Sequence, residues 1–344
     1  MSLNIDLLAK ICETPGAPGF EDPIRDVIRK EVEPLADEIR VDGMGNLIAR
    51  RKGGSRKVMA AAHMDEISLI VTAIDKSGFI RFHTLGGFDA KSLLNQRVLV
   101  HGKESLPGII GGKAPHTQSA EEKKKSPKTT ELFIDTGLSE EKLKEIVPVG
   151  SPVTRYQQLH QVGDLISCKS LDNRISVYML IEALRKAKSC EVDFYAVFTV
   201  QEEVGLRGAR VAANAINPEI GIALDVTLAN DLPGSDSHQK ITELGGGTAV
   251  KVMDGSVICT PGLVEFAAGL AEENDIPYQR EILTAGGTDT AALQYLSGTE
   301  AKVTCISTPT RYLHTTVETV HKDDVKHGID LMALIIEQIH RYGS

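Results

Sequence analysis

The chain has 344 residues, of which 42% are hydrophobic and 25% charged, with a formal net charge of −9 and no tryptophan. This length allows two domains, and the acidic balance, with no basic stretch beyond Lys123, Lys124 and Lys125, argues against nucleic-acid binding. No segment approaches the roughly 18 apolar residues of a membrane span, the N-terminus is not a signal peptide, and scattered cysteines without C-x-x-C spacing indicate reduced thiols, so we expect a cytoplasmic protein.

The first third of the chain changes from helical to β-type patterning. Residues 5 to 35 are predicted to form two amphipathic helices around a Gly/Pro-rich turn, and Asp22 before Pro23 is a typical helix start. From about residue 67 to residue 165, short β-type runs are separated by glycines, and one basic, polar loop interrupts them. This block therefore indicates a β-rich unit.

From residue 166 onward, helical patterns alternate with short apolar strands, as in LDNRISVYMLIEALRKAK followed by DFYAVFTV. Such alternation predicts an α/β fold with a mostly parallel sheet covered by helices. Residues 1–66 together with 166–344 are predicted to form this α/β domain. Residues 67–165 are predicted to be a β-rich domain inserted into it.

Five residues of metal-binding type lie in short segments, most of them beside turns. Two histidines and three carboxylates are enough to hold two divalent cations if one carboxylate is shared between them, and Glu202 is left over as a free base. The chain thus has the ligands and the proton acceptor that a two-metal hydrolase needs. The candidate ligands are His63, Asp172, Glu203, Asp225 and His314.

The candidate ligands can converge because most of them follow predicted strands, and open α/β sheets place their sites at the carboxyl ends of parallel strands. Asp65, two residues after His63, is predicted to fix the orientation of that imidazole, with a turn-stabilising carboxylate as the alternative. Glu66 is predicted to be solvated or peripheral. Glu202 and Glu203 can serve different roles only if the backbone turns after their strand, and Gly205 provides the flexibility.

A glycine pair later in the chain, Gly286 and Gly287, offers a second backbone feature. These residues either let the backbone approach a substrate closely or form an ordinary turn in which Thr288 or Asp289 caps the next helix. The basic loop around residues 123–125 is interpreted as solvated.

Motifs along almost the whole chain, in their order, resemble those of the dinuclear metallo-aminopeptidases of the tetrahedral (TET) type. This family includes glutamyl and deblocking aminopeptidases and chains labelled endoglucanase or cellulase. The motifs are ETPGAPGFE, DGMGNLIA, AAHMDEI, KAPHTQSAEEKKKSPKTTELFIDTG, SLDNR, QEEVGLRGA, LDVT, AGGTDT and RYLHTTVE.

The resemblance implies a fold of the metallo-exopeptidase type and a role for each candidate residue. Asp172 would bridge two metal ions, with His63 and Asp225 on one and Glu203 and His314 on the other. Glu202 would be the general base, and Asp65 would support His63. The ions would be Zn²⁺, with Co²⁺ or Mn²⁺ as alternatives. The inserted domain would mediate dimerisation, and dimers would build a hollow tetrahedral dodecamer that acts on peptides.

Other functions are also compatible with parts of the pattern. A two-metal carboxypeptidase or deacylase shares these motifs, but resemblance places its extra domain later, whereas here the longest gap, 109 residues, separates His63 from Asp172. An endoglucanase needs a carboxylate pair at the glycosidic bond and usually an aromatic cleft, and the chain has no tryptophan. A non-catalytic assembly protein would be indicated by loss of Glu202 or of a ligand, and none is lost. The side chain preferred by the first substrate pocket is left open.

Overall fold

The computed structural model describes residues 2–343 of the chain. Within them, the β-strands form one large sheet and one closed barrel. The strands are β1 (Glu38–Val41), β2 (Leu47–Arg51), β3 (Lys57–His63), β4 (Ser68–Ile74), β5 (Phe79–Leu85), β6 (Arg97–His101), β7 (Ser105–Gly111), β8 (Phe133–Asp135), β9 (Pro152–Arg155), β10 (His160–Val162), β11 (Leu165–Cys168), β12 (Asp193–Thr199), β13 (Ile220–Leu228), β14 (Thr248–Met253), β15 (Tyr278–Ile282), β16 (Lys302–Arg311) and β17 (Glu318–His321).

The helices lie before, between and after the strands, and the second one begins at Asp22, as predicted. Short 3₁₀ turns and one π-helical turn (Ala292–Leu296) supplement them. The helices are α1 (Ile5–Glu13), α2 (Asp22–Val32), α3 (Ala90–Leu93), α4 (Glu140–Ile146), α5 (Leu171–Lys186), α6 (Arg207–Ile216), α7 (Pro261–Glu273), α8 (Asp289–Ala291) and α9 (Lys322–Gln338).

The centre of the large sheet is parallel and covered on both faces. Strands β12, β3, β13 and β16 are neighbours in that order, and all three pairings are parallel. Every residue of β12 is buried, which requires that both faces of the sheet are covered. Helices α5 and α9 pack on each other and on this sheet, and α6 packs on β12 and β3. The predicted α/β architecture is therefore confirmed.

The margins of the sheet are antiparallel, so the sheet as a whole is mixed. Strands β1 and β2 extend it beyond β12, and β17, β11 and β10 extend it beyond β16, all by antiparallel pairing. For the hairpins β1–β2 and β10–β11 the physical reason is connection length, since a tight turn such as the one between Val162 and Leu165 can join only antiparallel strands.

The barrel contains the strands from β4 to β9 in the closed order β4-β5-β8-β7-β6-β9. It has its own hydrophobic core, formed by residues such as Val71, Ile80 and Val98, separate from the core of the large sheet. The β-rich insertion predicted from the sequence is thus a barrel. Its last strand ends at Arg155, whereas β10, inside the segment predicted as inserted, pairs with β11 in the large sheet.

A buried ion-pair network joins the N-terminal turn, the chain after β3 and the start of α5. The carboxylate of Glu66 lies 2.7 Å from Lys169 Nζ and 3.7 Å from Arg174 Nη2, and all three side chains are buried. Arg174 also donates hydrogen bonds to the backbone carbonyls of Ile11 and Thr14. The prediction that Glu66 is solvated was wrong, because the fold brings it two cationic partners from a distant part of the sequence.

No helix within residues 2–343 is long and apolar enough to cross a membrane. All five cysteines are unpaired, and the side chains of Lys123, Lys124 and Lys125 are exposed to solvent.

Candidate active site

The predicted site residues meet at the carboxyl end of the parallel strands. His63 is the last residue of β3, Asp225 lies in the second half of the neighbouring β13, and Glu202 and Glu203 follow the end of β12. The remaining two come from the first turn of α5 and from the loop after β16. The structure thus brings Glu202 and all five candidate ligands together, namely His63, Asp172, Glu203, Asp225 and His314.

The carboxylate of Asp172 lies between the two imidazoles. Its Oδ1 is 3.2 Å from His63 Nε2, and its Oδ2 is 3.3 Å from His314 Nε2. Because each oxygen faces a different imidazole, this single carboxylate can belong to two donor sets at once.

The other carboxylates complete the two donor sets. Asp225 Oδ1 and Glu202 Oε2 each lie 3.8 Å from His63 Nε2, and Glu203 Oε2 lies 3.8 Å from His314 Nε2. Donor atoms of His63, Asp172 and Asp225 lie within 4.8 Å of one another, as do those of Asp172, Glu203 and His314. The two donor sets could each hold a cation, and Asp172 belongs to both.

Asp65 supports both the first imidazole and the glutamate pair. Its Oδ1 lies 3.5 Å from His63 Nδ1, and its two oxygens accept hydrogen bonds from the backbone N–H groups of Glu202 and Glu203, each at 3.1 Å. The turn predicted after β12 begins at Gln201, whose φ is +56°, and continues through Gly205. One buried carboxylate therefore fixes the backbone of the glutamate pair and faces the imidazole of His63.

Glu318 is a site residue that the sequence analysis did not single out. Its buried carboxylate accepts hydrogen bonds from the backbone N–H groups of Asp172 (2.9 Å) and His314 (3.0 Å), and Arg155 Nη1 lies 3.6 Å from it. His314 itself adopts a φ of +61°, so this bond holds a residue in the sparsely populated left-handed region. A carboxylate four residues after His314 in RYLHTTVE was the available signal.

The barrel also reaches the site, through the loop after β5. A Cβ atom at Gly87 would lie 3.2 Å from His314 Nδ1, and one at Gly86 would lie 3.4 Å from the Cβ atom of Glu203. Arg155, in strand β9 of the barrel, is the second contact. From the sequence we expect the inserted domain only to mediate dimerisation. The structure also packs it against both His314 and Glu203.

The electrostatics of the site show an excess of buried negative charge. Burial, reinforced by repulsion from Asp172, raises the pKa of Glu203 to about 7. Burial by itself would lower the pKa of His314, but the Asp172 carboxylate outweighs it and the pKa rises to about 9. Glu203 Oε1 is buried without a hydrogen-bond partner, which is costly unless a ligand satisfies it. A cluster of two imidazoles and carboxylates with an unsatisfied oxygen fits divalent cations.

The cluster opens into a cavity of about 360 Å³. Gly286 and Gly287 line it, as the prediction of close backbone approach requires, and Thr288 caps α8. The predicted alternative, a capped turn, is therefore present in the same loop.

The arginines near the site motifs all have other partners. Arg174 belongs to the buried network with Glu66, Arg311 makes a two-point contact with Asp231, and Arg207 is exposed and donates to Gln201. None of the three lines the cavity. The site therefore offers carboxylates, and no arginine, to a bound substrate.

Comparison with known proteins agrees with this geometry. Residues 45–331 match the family described as M42 glutamyl aminopeptidase. The chain belongs to this family. It is therefore an aminopeptidase that works with divalent metal ions, and a two-metal mechanism is general among M42 aminopeptidases.

Individual relatives align with nearly the whole of this chain. The lysyl aminopeptidase of Pyrococcus furiosus is 36% identical over 343 residues, which are 97% of this chain and 97% of that protein. An aminopeptidase of the archaeon Desulfurococcus kamchatkensis superposes with a TM-score of 0.93 at 36% identity, covering 99% and 97% of the two chains. The TET1 peptidase of Pyrococcus horikoshii gives a TM-score of 0.87 at 34% identity, covering 96% and 98%. The sequence resemblance is thus confirmed.

Glu21 provides a test of the electrostatics beside the site. Its buried carboxylate accepts hydrogen bonds from the N–H groups of Gly19 and Gln201, and burial, followed by repulsion from Asp65, raises its pKa from 4.5 to about 7. The folded state then binds this proton more tightly than the unfolded state, so stability is lost as pH rises from about 4.5 through 7. Glu21→Gln keeps the accepting oxygen without the charge.

We expect Glu21→Gln to raise the free energy of unfolding by about 1–3 kcal/mol at pH 8 and by much less at pH 5. Urea unfolding at the two pH values measures the difference. Glu33→Gln, at an exposed position, is the control and should change stability by less than about 0.5 kcal/mol at either pH. An equal effect of Glu21→Gln at both pH values would contradict the prediction.

Proposed function

We propose that this chain removes unblocked N-terminal residues from peptides, using two divalent metal ions per subunit. The observation that carries the proposal is the position of Asp172, whose two carboxylate oxygens face two different imidazoles. Supporting it are the membership of the M42 family and the unsatisfied oxygen of Glu203.

Each ion would take one of the two donor sets. His63 and Asp225 would hold the first ion, Glu203 and His314 the second, and Asp172 would bind both. Divalent ions bound there would polarise the peptide carbonyl and make the attacking water more acidic. Nitrogen and oxygen donors suit Zn²⁺, which we favour, and also Co²⁺ or Mn²⁺.

Glu202 is the residue that would move the proton. It lies beside the cluster and lines the cavity, so its carboxylate can accept a proton from the attacking water and donate it to the leaving amine. Asp65 would act as a positioning residue, because it holds His63 and the backbone N–H groups of both glutamates. Glu318 would act in the same way on Asp172 and His314.

The charges around the cavity support attack at the N-terminal end. A substrate α-amine is cationic and suits the carboxylates of the cluster, whereas a C-terminal carboxylate would need an arginine or a backbone nest. The arginines near the site motifs, Arg174, Arg207 and Arg311, do not line the cavity. Glycan cleavage is disfavoured because no phenylalanine, tyrosine or tryptophan of residues 2–343 lines it either. The carboxypeptidase or deacylase alternative is thus less well supported.

We further propose that the barrel mediates dimerisation and that the dimers form a tetrahedral dodecamer in the cytoplasm. Exposed apolar side chains on the barrel segment, Ile109 at 57% and Val149 at 68%, support an interface there. The Pyrococcus horikoshii relative can assemble into a tetrahedron or a large octahedral shell. An enclosed assembly would admit peptides and exclude folded proteins.

The first prediction from this proposed function concerns the proton acceptor. Glu202→Gln should retain about two ions per chain in elemental analysis, since we assign Glu202 no metal, and should lower kcat about 10²–10⁴-fold, as expected for a lost general acid–base group. Asp172→Asn, the matched carboxylate-to-amide change at the shared ligand, should lower the metal content as well. Near-normal turnover by Glu202→Gln would mean that another residue is the base.

The second prediction concerns which end of the peptide is attacked. N-acetylation of a good peptide substrate should abolish turnover, because it removes the charge of the α-amine, while C-terminal amidation should change the rate little. Chromatography of the products would show sequential loss from the N-terminus. The reverse pattern would support the carboxypeptidase alternative.

The third prediction concerns assembly. Light scattering should give a mass many times the 37.2 kDa of one chain. Ile109→Glu should reduce that mass, because a buried unpaired charge disfavours an interface, whereas Ile109→Val should not. A wild-type protein that is monomeric and fully active would refute the assembly proposal.

A further inference from the structure

The cavity beside the metal-type cluster has an apolar wall. Three leucines line it, each from a different segment: Leu228 at the end of β13, Leu283 just after β15 and Leu313 beside His314. None of them is buried, and Leu228 is 37% exposed. Apolar side chains grouped around a concave opening indicate a binding surface, although Leu313 also packs against the main core.

Apart from Glu202 and the five candidate ligands, no charged side chain of residues 2–343 lines this cavity. Two nearby acids each have another partner, although Oδ1 of Asp289 has none. Asp289 accepts a hydrogen bond from Thr199 Oγ1 at 2.6 Å, and Asp231 pairs with Arg311. A charged substrate side chain in this space would therefore lose water without gaining an opposite charge beyond the cluster.

The loop that carries Leu283 is tied to a buried lysine. Lys251 Nζ lies 3.0 Å from Glu281, two residues before Leu283, and 3.1 Å from Asp254. Asp254 in turn accepts a hydrogen bond from Thr288 Oγ1 at 3.1 Å. Both ends of the exposed loop between Leu283 and Thr288 are thus tied to the same cation, which helps to position Leu283.

We infer that Leu228, Leu283 and Leu313 form the pocket for the substrate's first side chain and select uncharged aliphatic residues such as leucine or methionine. This inference rests on the proposed aminopeptidase function and specifies its substrate class. Lysine and glutamate side chains are disfavoured because, beyond the metal-type cluster, the lining of the pocket offers them no opposite charge. The preference would thus differ from that of a lysyl or glutamyl aminopeptidase within the same family.

The test compares leucyl, methionyl, lysyl and glutamyl p-nitroanilides with metal-loaded enzyme. We expect kcat/KM for the two aliphatic substrates to exceed that for the charged ones by about tenfold or more. Leu283→Asp should raise the lysyl-to-leucyl ratio of kcat/KM by about tenfold, because it supplies the missing opposite charge. Leu283→Asn, of equal size without charge, should not.

A second control distinguishes the effect of a charge in the pocket lining from the effect of a charge just outside it. Ile282→Asp, at a neighbouring residue that is 54% exposed and does not line the cavity, should leave the ratio unchanged. A wild-type preference for lysyl or glutamyl substrates, or an unchanged ratio in Leu283→Asp, would overturn the assignment.

Binding without turnover distinguishes this inference from the proposed function. Calorimetry with metal-loaded Glu202→Gln protein should show leucinamide binding about tenfold more tightly than lysinamide. If the wild-type enzyme cleaves no p-nitroanilide, the proposed aminopeptidase function is wrong. The ratio of the leucinamide and lysinamide affinities then decides alone whether the pocket selects aliphatic side chains. Equal or reversed affinities would refute the aliphatic pocket even where cleavage is observed.

Discussion

The carboxylate of Asp172, placed between the imidazoles of His63 and His314, is the contact on which the rest of the site depends. Its position is set by two hydrogen bonds. The backbone N–H of Asp172 donates to Glu318, and the side chain of the next residue, Asn173, donates to the carbonyl of Leu224. Leu224 directly precedes Asp225, another candidate ligand. The hydrogen bond from Asn173 therefore aligns the start of α5 with the strand that carries Asp225.

A layer of buried acids lies directly behind the candidate ligands. Asp65 and Glu318 bind backbone N–H groups of the residues that would contact metal, so the ligand directions are fixed by main-chain hydrogen bonds rather than by packing alone. Buried carboxylates are costly unless they are paired. Their concentration here is consistent with a centre that two divalent cations would neutralise, and it adds negative potential behind each imidazole.

The barrel and the site are physically connected although their hydrophobic cores are separate. Gly86 and Gly87 allow the loop after β5 to lie against Glu203 and His314, and Arg155 links β9 to Glu318. A side chain at Gly87 would press on His314, and one at Gly86 would clash with Ile67 and touch Glu203. The unit that we propose to build the assembly therefore also defines part of the wall of the active site.

The sequence by itself determined the α/β alternation, the start of α2 at Asp22 and the choice of candidate site residues. The reason is that strand and helix periodicity, cap residues and the residues that follow strands can all be recognised locally. Tertiary structure alone decided the antiparallel margins of the sheet, the burial of Glu66 with Lys169, and the role of Glu318. The reason is that a charged residue is buried or solvated according to the partner that the fold brings to it. Lys169 is 103 residues from Glu66 in sequence, and no local pattern records that contact.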